Sequence, residues 1–107
     1  MNKYKAIRTE HNGRMFASKG EARRAAELEL LQRAGQIKNL AYQVKFPLVI
    51  GKVKICDYVC DFQYYEPGAF VVEDFKGMRP PVYRLKAKLM LAIHGIQIRE
   101  TGNAKKR

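Results

Sequence analysis

Cysteine and histidine each occur only twice in this chain, and acidic residues only 10 times in 107 positions. Each scarcity closes a route. Cys56 and Cys60 lie four apart in a segment that reads as extended, which separates their α-carbons by about 13 Å, too far for a disulfide. The thiols are therefore expected to be free, and His11 and His94 offer no spacing that would complete a zinc site with them. No apolar run approaches the length that spans a bilayer, and Met1-Asn2-Lys3-Tyr4-Lys5 is not followed by a signal-peptide core. The expectation is a soluble cytoplasmic protein, in the host cytoplasm if phage-encoded, with no membrane partner. Internal repeats and low-complexity linkers are also missing, and the length admits one domain, residues 1–107, but not two.

What is plentiful is positive charge. Lysine and arginine total 21, giving a formal charge of +11 and a pI near 9.9. Such an excess repels itself in a compact fold and is best matched by a polyanion, because neutralised phosphates release condensed counterions. Nucleic acid is the expected partner, the alternative being a basic surface that only aids solubility. With 47% hydrophobic and 29% charged residues the chain has the balance of a folded domain.

Residues 1–16 are polar, with a turn at Asn12 and Gly13, and predict a weakly ordered arm or one short strand. Ser18 and Glu21 have capping-box spacing, helix formers follow through residue 34, and Gly35 supplies a stop. Ala25, Leu28 and Leu31 form the apolar stripe of this helix, with Glu21 along its edge. From residue 40 the text turns β-rich. Residues 40–50 are interrupted by Pro47, residues 52–65 predict one long strand or two shorter ones, and Glu66-Pro67-Gly68 turns the chain into an extended run over 69–76. Arg79-Pro80-Pro81 presets a second helix, in which Val82, Leu85, Leu89 and Ala92 recur at helical spacing. Residues 96–99 predict a final strand, and 101–107 a frayed basic tail.

If Tyr65 pairs with Phe70 across the hairpin, the ladder sets Asp61 opposite Asp74. Two like charges about 5 Å apart destabilise a sheet unless a cation is shared between them. Alternation puts Lys76 on the same face as Asp74 and sends Glu73 and Phe75 to the other. Carboxylates plus one ammonium are what Mg²⁺-assisted phosphodiester hydrolysis needs: oxygen ligands for the ion, and a positive group for the water or the developing charge. A register-shifting bulge would put Glu73 in place of Asp74, but with Lys76 then on the wrong face.

Asp61 followed across a hairpin by Asp74-Phe75-Lys76 resembles the signature of the PD-(D/E)XK nuclease superfamily. In order along the chain, Ser18-Lys19-Gly20-Glu21-Ala22-Arg23, Tyr42-Gln43-Val44-Lys45-Phe46, Tyr58-Val59-Cys60-Asp61-Phe62, Val72-Glu73-Asp74-Phe75-Lys76-Gly77 and Val82-Tyr83-Arg84-Leu85-Lys86 resemble small phage-type endonuclease-like proteins of that superfamily, over residues 4–100. Cys60 departs from the pattern where the superfamily name carries proline. The resemblance implies an α/β fold with a restriction-endonuclease-like central mixed β-sheet flanked by helices. It further implies metal-dependent hydrolysis of DNA, including branched or phage DNA intermediates. Asp61, Asp74, Glu21 and the Phe75 backbone carbonyl would ligate Mg²⁺ or Mn²⁺, and Lys76 would act on the water or the scissile phosphate. Lys19, Arg23, Arg79, Arg84, Lys86 and Lys88 would meet DNA, and a homodimer is a possible assembly.

Duller readings stand beside these. Glu21 also fits the N3 position of a capping box, and Asp61 with Lys76 fits a surface ion pair of small worth. Gln43 reads as an outward strand residue, Arg84, Lys86 and Lys88 as a solvated helix face, and Tyr58, Phe62, Tyr64 and Tyr65 as core and sheet surface. A basic module that binds nucleic acid without cutting it is the alternative function.

Overall fold

The computed structural model describes residues 7–102. Both the start of the expected arm and the end of the expected tail lie outside them. Residues 9–16 are more than an arm. Asn12 (φ 52°) and Gly13 (φ 79°) adopt the left-handed backbone of a tight hairpin turn, and β1 (Thr9–His11) pairs antiparallel with β2 (Arg14–Phe16). The hairpin is fastened to the first helix, because His11 Nε2 and Asn12 Nδ2 each reach Glu29 Oε1 at 2.8 Å. Phe16 then enters the core. Tertiary contacts that no local pattern announces thus order this segment.

Helix α1 (Lys19–Arg33) starts at Ser18, whose Oγ accepts the Glu21 backbone N–H at 3.1 Å. It ends at Ala34, followed by Gly35 at φ 81°. Ala22, Ala25 and Leu28 form its buried face, with Leu31 packed at the edge. The chain continues through β3 (Lys38–Tyr42), β4 (Lys45–Ile50), β5 (Val53–Val59), β6 (Phe62–Glu66) and β7 (Ala69–Phe75). The 52–65 segment is therefore two strands, broken at Cys60 and Asp61. Strands β4 and β5 form a hairpin of their own. Gln43 (φ 54°) bends its root, and two bonds hold the bend, Gln43 N to Asp61 O at 3.2 Å and Cys60 N to Val44 O at 3.0 Å. Cys56 and Cys60 are free thiols.

After β7 come α2 (Pro81–Leu89), a π-helical turn (Met90–His94) closed by Gly95 at φ 69°, and β8 (Arg99–Thr101). The central sheet has the order β3-β6-β7-β8, antiparallel except for the β7–β8 pair. One face carries a core of Phe16, Ala25, Leu28, Ile37, Phe62 and Val71 under α1. The other carries Leu48, Tyr58, Cys60, Val72, Tyr83 and Met90 under α2 and the β4–β5 hairpin. The architecture is mixed α/β, a sheet between helices, and no helix among the described residues is long and apolar enough to cross a membrane.

Three expectations need correction here. The last strand begins at Arg99, not at residue 96: Ile96 and Ile98 pack into the second core, and backbone pairing starts only where the edge of β7 is met, at Glu73 with Arg99. Thr101, assigned to a frayed tail, pairs with Phe75, and its carbonyl accepts the Lys76 N–H at 2.8 Å. In α2 the apolar period misled as well. Val82 and Leu85 are exposed, at 64% and 56%, as is Ala92; of the expected stripe only Leu89 packs against the second core, whose buried members here are Tyr83 and Met90. Tyr83 can face inward because its hydroxyl finds Glu100 Oε2 at 2.7 Å.

Candidate active site

The β6–β7 ladder pairs Tyr65 with Phe70 and Phe62 with Glu73, without a register shift. Asp61 lies one residue before β6, and its carboxyl meets that of Asp74. Val71, Glu73 and Phe75 point toward α1, and Val72, Asp74 and Lys76 toward α2. Gly20 permits the close seating of α1 on this strand end, since a Cβ there would collide with the Phe75 ring.

Glu73 is fully buried but its charge is answered. Arg24 grips it through Nε to Oε2 at 2.6 Å and Nη2 to Oε1 at 3.1 Å. Tyr64 donates to Oε1 at 2.5 Å and Thr101 to Oε2 at 3.0 Å. The absence of a bulge and this saturation leave Asp74, not Glu73, on the face with Asp61 and Lys76.

Asp74 is equally buried and far less compensated. Tyr58 donates to its Oδ2 at 2.5 Å, and the Lys76 ammonium stands 3.9 Å from the same oxygen. Asp61 is held by the Phe75 backbone N–H, which donates to its Oδ2 at 2.8 Å. Burial, the hydrogen bond with Asp61 and the Asp61 charge push the Asp74 carboxyl up to about 7. Burial also raises Asp61, against the pull of its bonds with Asp74 and Phe75. Both carboxyls are thus harder to ionise than usual, and the upward shift is the larger for Asp74. Burial followed by the Asp74 charge raises Glu21 too, while Lys76, the Ala17 amide and Asp61 draw it the other way. The Glu21 backbone N–H is thus capped by Ser18, and its buried side chain lies within electrostatic reach of Asp74, Asp61 and Lys76.

Lys76 is not a free surface lysine. Its ammonium lies 4.2 Å from the centre of the Tyr83 ring, Tyr83 is anchored on Glu100, and Arg79 Nε reaches the same Glu100 oxygen at 3.2 Å. The surface-pair reading of Asp61 with Lys76 is replaced by a half-buried Lys76 paired with Asp74. Among the described residues no three Asp, Glu, His or Cys side chains are already gathered as a ligand cage. The Asp61 and Asp74 carboxyls are instead set against each other.

The other predicted residues fall into two groups. Lys19 and Arg23 are exposed on α1, Arg23 lining a cleft of about 360 Å³ with Gly20 and Phe75. Arg79, Arg84 and Lys88 are exposed at α2, where Lys86 is half-buried. Gln43 is exposed, and only its backbone reaches Asp61. Tyr58, Phe62 and Tyr64 are core, and Tyr65 lies on the sheet surface against Phe70. Sequence reasoning missed Arg24, Tyr83 and Glu100. Nothing local marks them, since Arg24 meets a partner 49 positions away.

Fold and site together define a small basic α/β protein with buried acids and one lysine at a strand seam. The chain belongs to the family described as "Protein of unknown function (DUF1064)", whose profile matches residues 1–105. No curated protein and no solved structure matches it significantly.

Proposed function

We propose that this protein is a metal-dependent DNA endonuclease of the PD-(D/E)XK type, hydrolysing phosphodiester bonds with Mg²⁺ or Mn²⁺ on a restriction-endonuclease-like fold. The observation that carries the reading is Asp61 facing Asp74 across the β6–β7 seam with Lys76 beside them. A mixed sheet between two helices is compatible with that fold, and a charge of +11 favours a DNA substrate.

The donor set fits a hard divalent cation. Asp61, Asp74 and Glu21 supply carboxylate oxygens, and three acids against one lysine leave negative charge for an ion to neutralise. The Phe75 carbonyl is a fourth oxygen: a strand residue directs its N–H and C=O to the same side, and the Phe75 N–H points at Asp61. The bound ion would polarise the phosphoryl oxygen and lower the pKa of the attacking water. Burial and Asp61 raise the Asp74 carboxyl, and a ligand must be deprotonated, so ion binding near neutral pH would release a proton. Lys76, steadied over the Tyr83 ring, can donate to the attacking water or to a phosphate oxygen and offset the charge that develops there. The exposed cations of α1 and α2 would hold the flanking phosphates.

Purified protein should nick or cut some form of DNA with Mg²⁺ or Mn²⁺. Asp74→Ala and Lys76→Ala should each lower the cleavage rate by about 10³ or more while leaving DNA binding largely intact. Cleavage at a wild-type rate by either variant rejects the site. Failure to cut any DNA form, together with a melting temperature unmoved by divalent cation, leaves a binding module.

A further inference from the structure

Beside α2 runs an open groove of about 470 Å³ that the acidic cluster does not use. Arg79, Arg84 and Lys88 are its cations, and Pro81, Leu85 and Leu91 its apolar floor. Leu85 and Leu91 are more than half exposed, and they lie on a helix face where solvent alone would favour polar side chains. Among the described residues no carboxylate lines the groove. Arg84 Nη1 donates to the Arg79 carbonyl at 3.0 Å, which fixes one guanidinium against the helix start. At its other end Arg79 shares Glu100 with Tyr83, and the Tyr83 ring carries the Lys76 ammonium. Glu100 and Tyr83 thus connect the groove, at Arg79, to Lys76.

We propose that this groove binds a single unpaired nucleic-acid strand and leads it toward Lys76; calling that strand a substrate rests on the nuclease reading, whereas the binding itself does not. The cations match phosphates, and the apolar floor matches sugar and base faces. Only an unpaired strand exposes base faces, because a duplex buries them in its stack and offers phosphates alone. A second copy of this chain fits poorly, since two such faces would set three cations against three on molecules each carrying +11.

The test is fluorescence anisotropy on the full chain with chelator present, using labelled oligo-dT and a duplex of equal length at several salt concentrations. Wild type should bind oligo-dT more tightly than the duplex. Replacing Arg84 and Lys88 together by Ala should weaken oligo-dT binding about tenfold and reduce the salt slope by about 1.4, near 0.7 for each single-strand phosphate left unneutralised. Leu85→Ser, which changes no charge, should weaken oligo-dT binding about threefold and duplex binding not at all. Equal losses on both DNA forms, or none, overturn the proposal. So does a wild-type dimer in sedimentation that Leu85→Ser dissolves, because the groove then belongs to a second copy. Metal-free binding stands apart from cleavage: an inactive protein with these binding results refutes the nuclease, and an active one without them refutes only the groove.

Discussion

Glu73 and Asp74 are neighbours on one strand, both buried, and the fold treats them in opposite ways. Glu73 faces α1 and receives a guanidinium, a phenol and a threonine hydroxyl. Asp74 faces α2 and meets another carboxyl, a phenol and an ammonium 3.9 Å away. A charge removed from water needs a partner, and only the first has a full one. The difference separates a carboxylate matched by a guanidinium from one set against a second acid, and burial alone would not distinguish them.

The largest expected effect strikes the braced side. Glu73→Ala should destabilise by about 3–5 kcal/mol, seen in urea unfolding, because Arg24 is left at the sheet without its partner. A loss comparable to that of an ordinary surface substitution would erase the contrast. The second effect has the opposite sign. In metal-free buffer at pH 8, Asp74→Asn should stabilise by about 1–3 kcal/mol, since it removes repulsion and still accepts from Tyr58.

The pH dependence follows from the raised carboxyl. Between the ordinary carboxylate range and about 7 the native protein holds a proton on Asp74 that the unfolded chain has released. Stability should therefore fall as pH rises through that window, with the loss complete above about 7. Asp74→Asn should flatten the slope, and a melting temperature that rises over the same window in wild type would contradict the assignment. The smallest effect dissects Glu21. Ser18→Ala should cost about 1 kcal/mol through the lost cap without touching catalysis, whereas Glu21→Gln should keep stability and lower cleavage.

Much of this contrast was legible in the sequence. A loop expected over residues 66–69 sets the observed register, although Glu66 and Ala69 themselves pair and leave a two-residue turn; strand alternation then sorts Glu73 from Asp74 and Lys76, and the spacing of Ser18 and Glu21 marks the helix start. What was hidden depends on distant partners. Glu73 could be recognised as neutralised only once α1 brought Arg24 over it, and the 9–16 hairpin is ordered by Glu29 of the same helix. The apolar period of α2 pointed to Val82 and Leu85, but the tyrosine that found a hydroxyl partner took the inner face. Strand β8 starts late because pairing waits for the exposed edge of β7, a position no local pattern encodes.

Calorimetric titration of Mn²⁺ into the protein near neutral pH, repeated in buffers of different ionisation heat, addresses the acidic pair most directly. Saturable binding that releases a proton in wild type and disappears in Asp74→Asn is the predicted result. Absent binding, or binding that survives Asp74→Asn with no proton released, would contradict it.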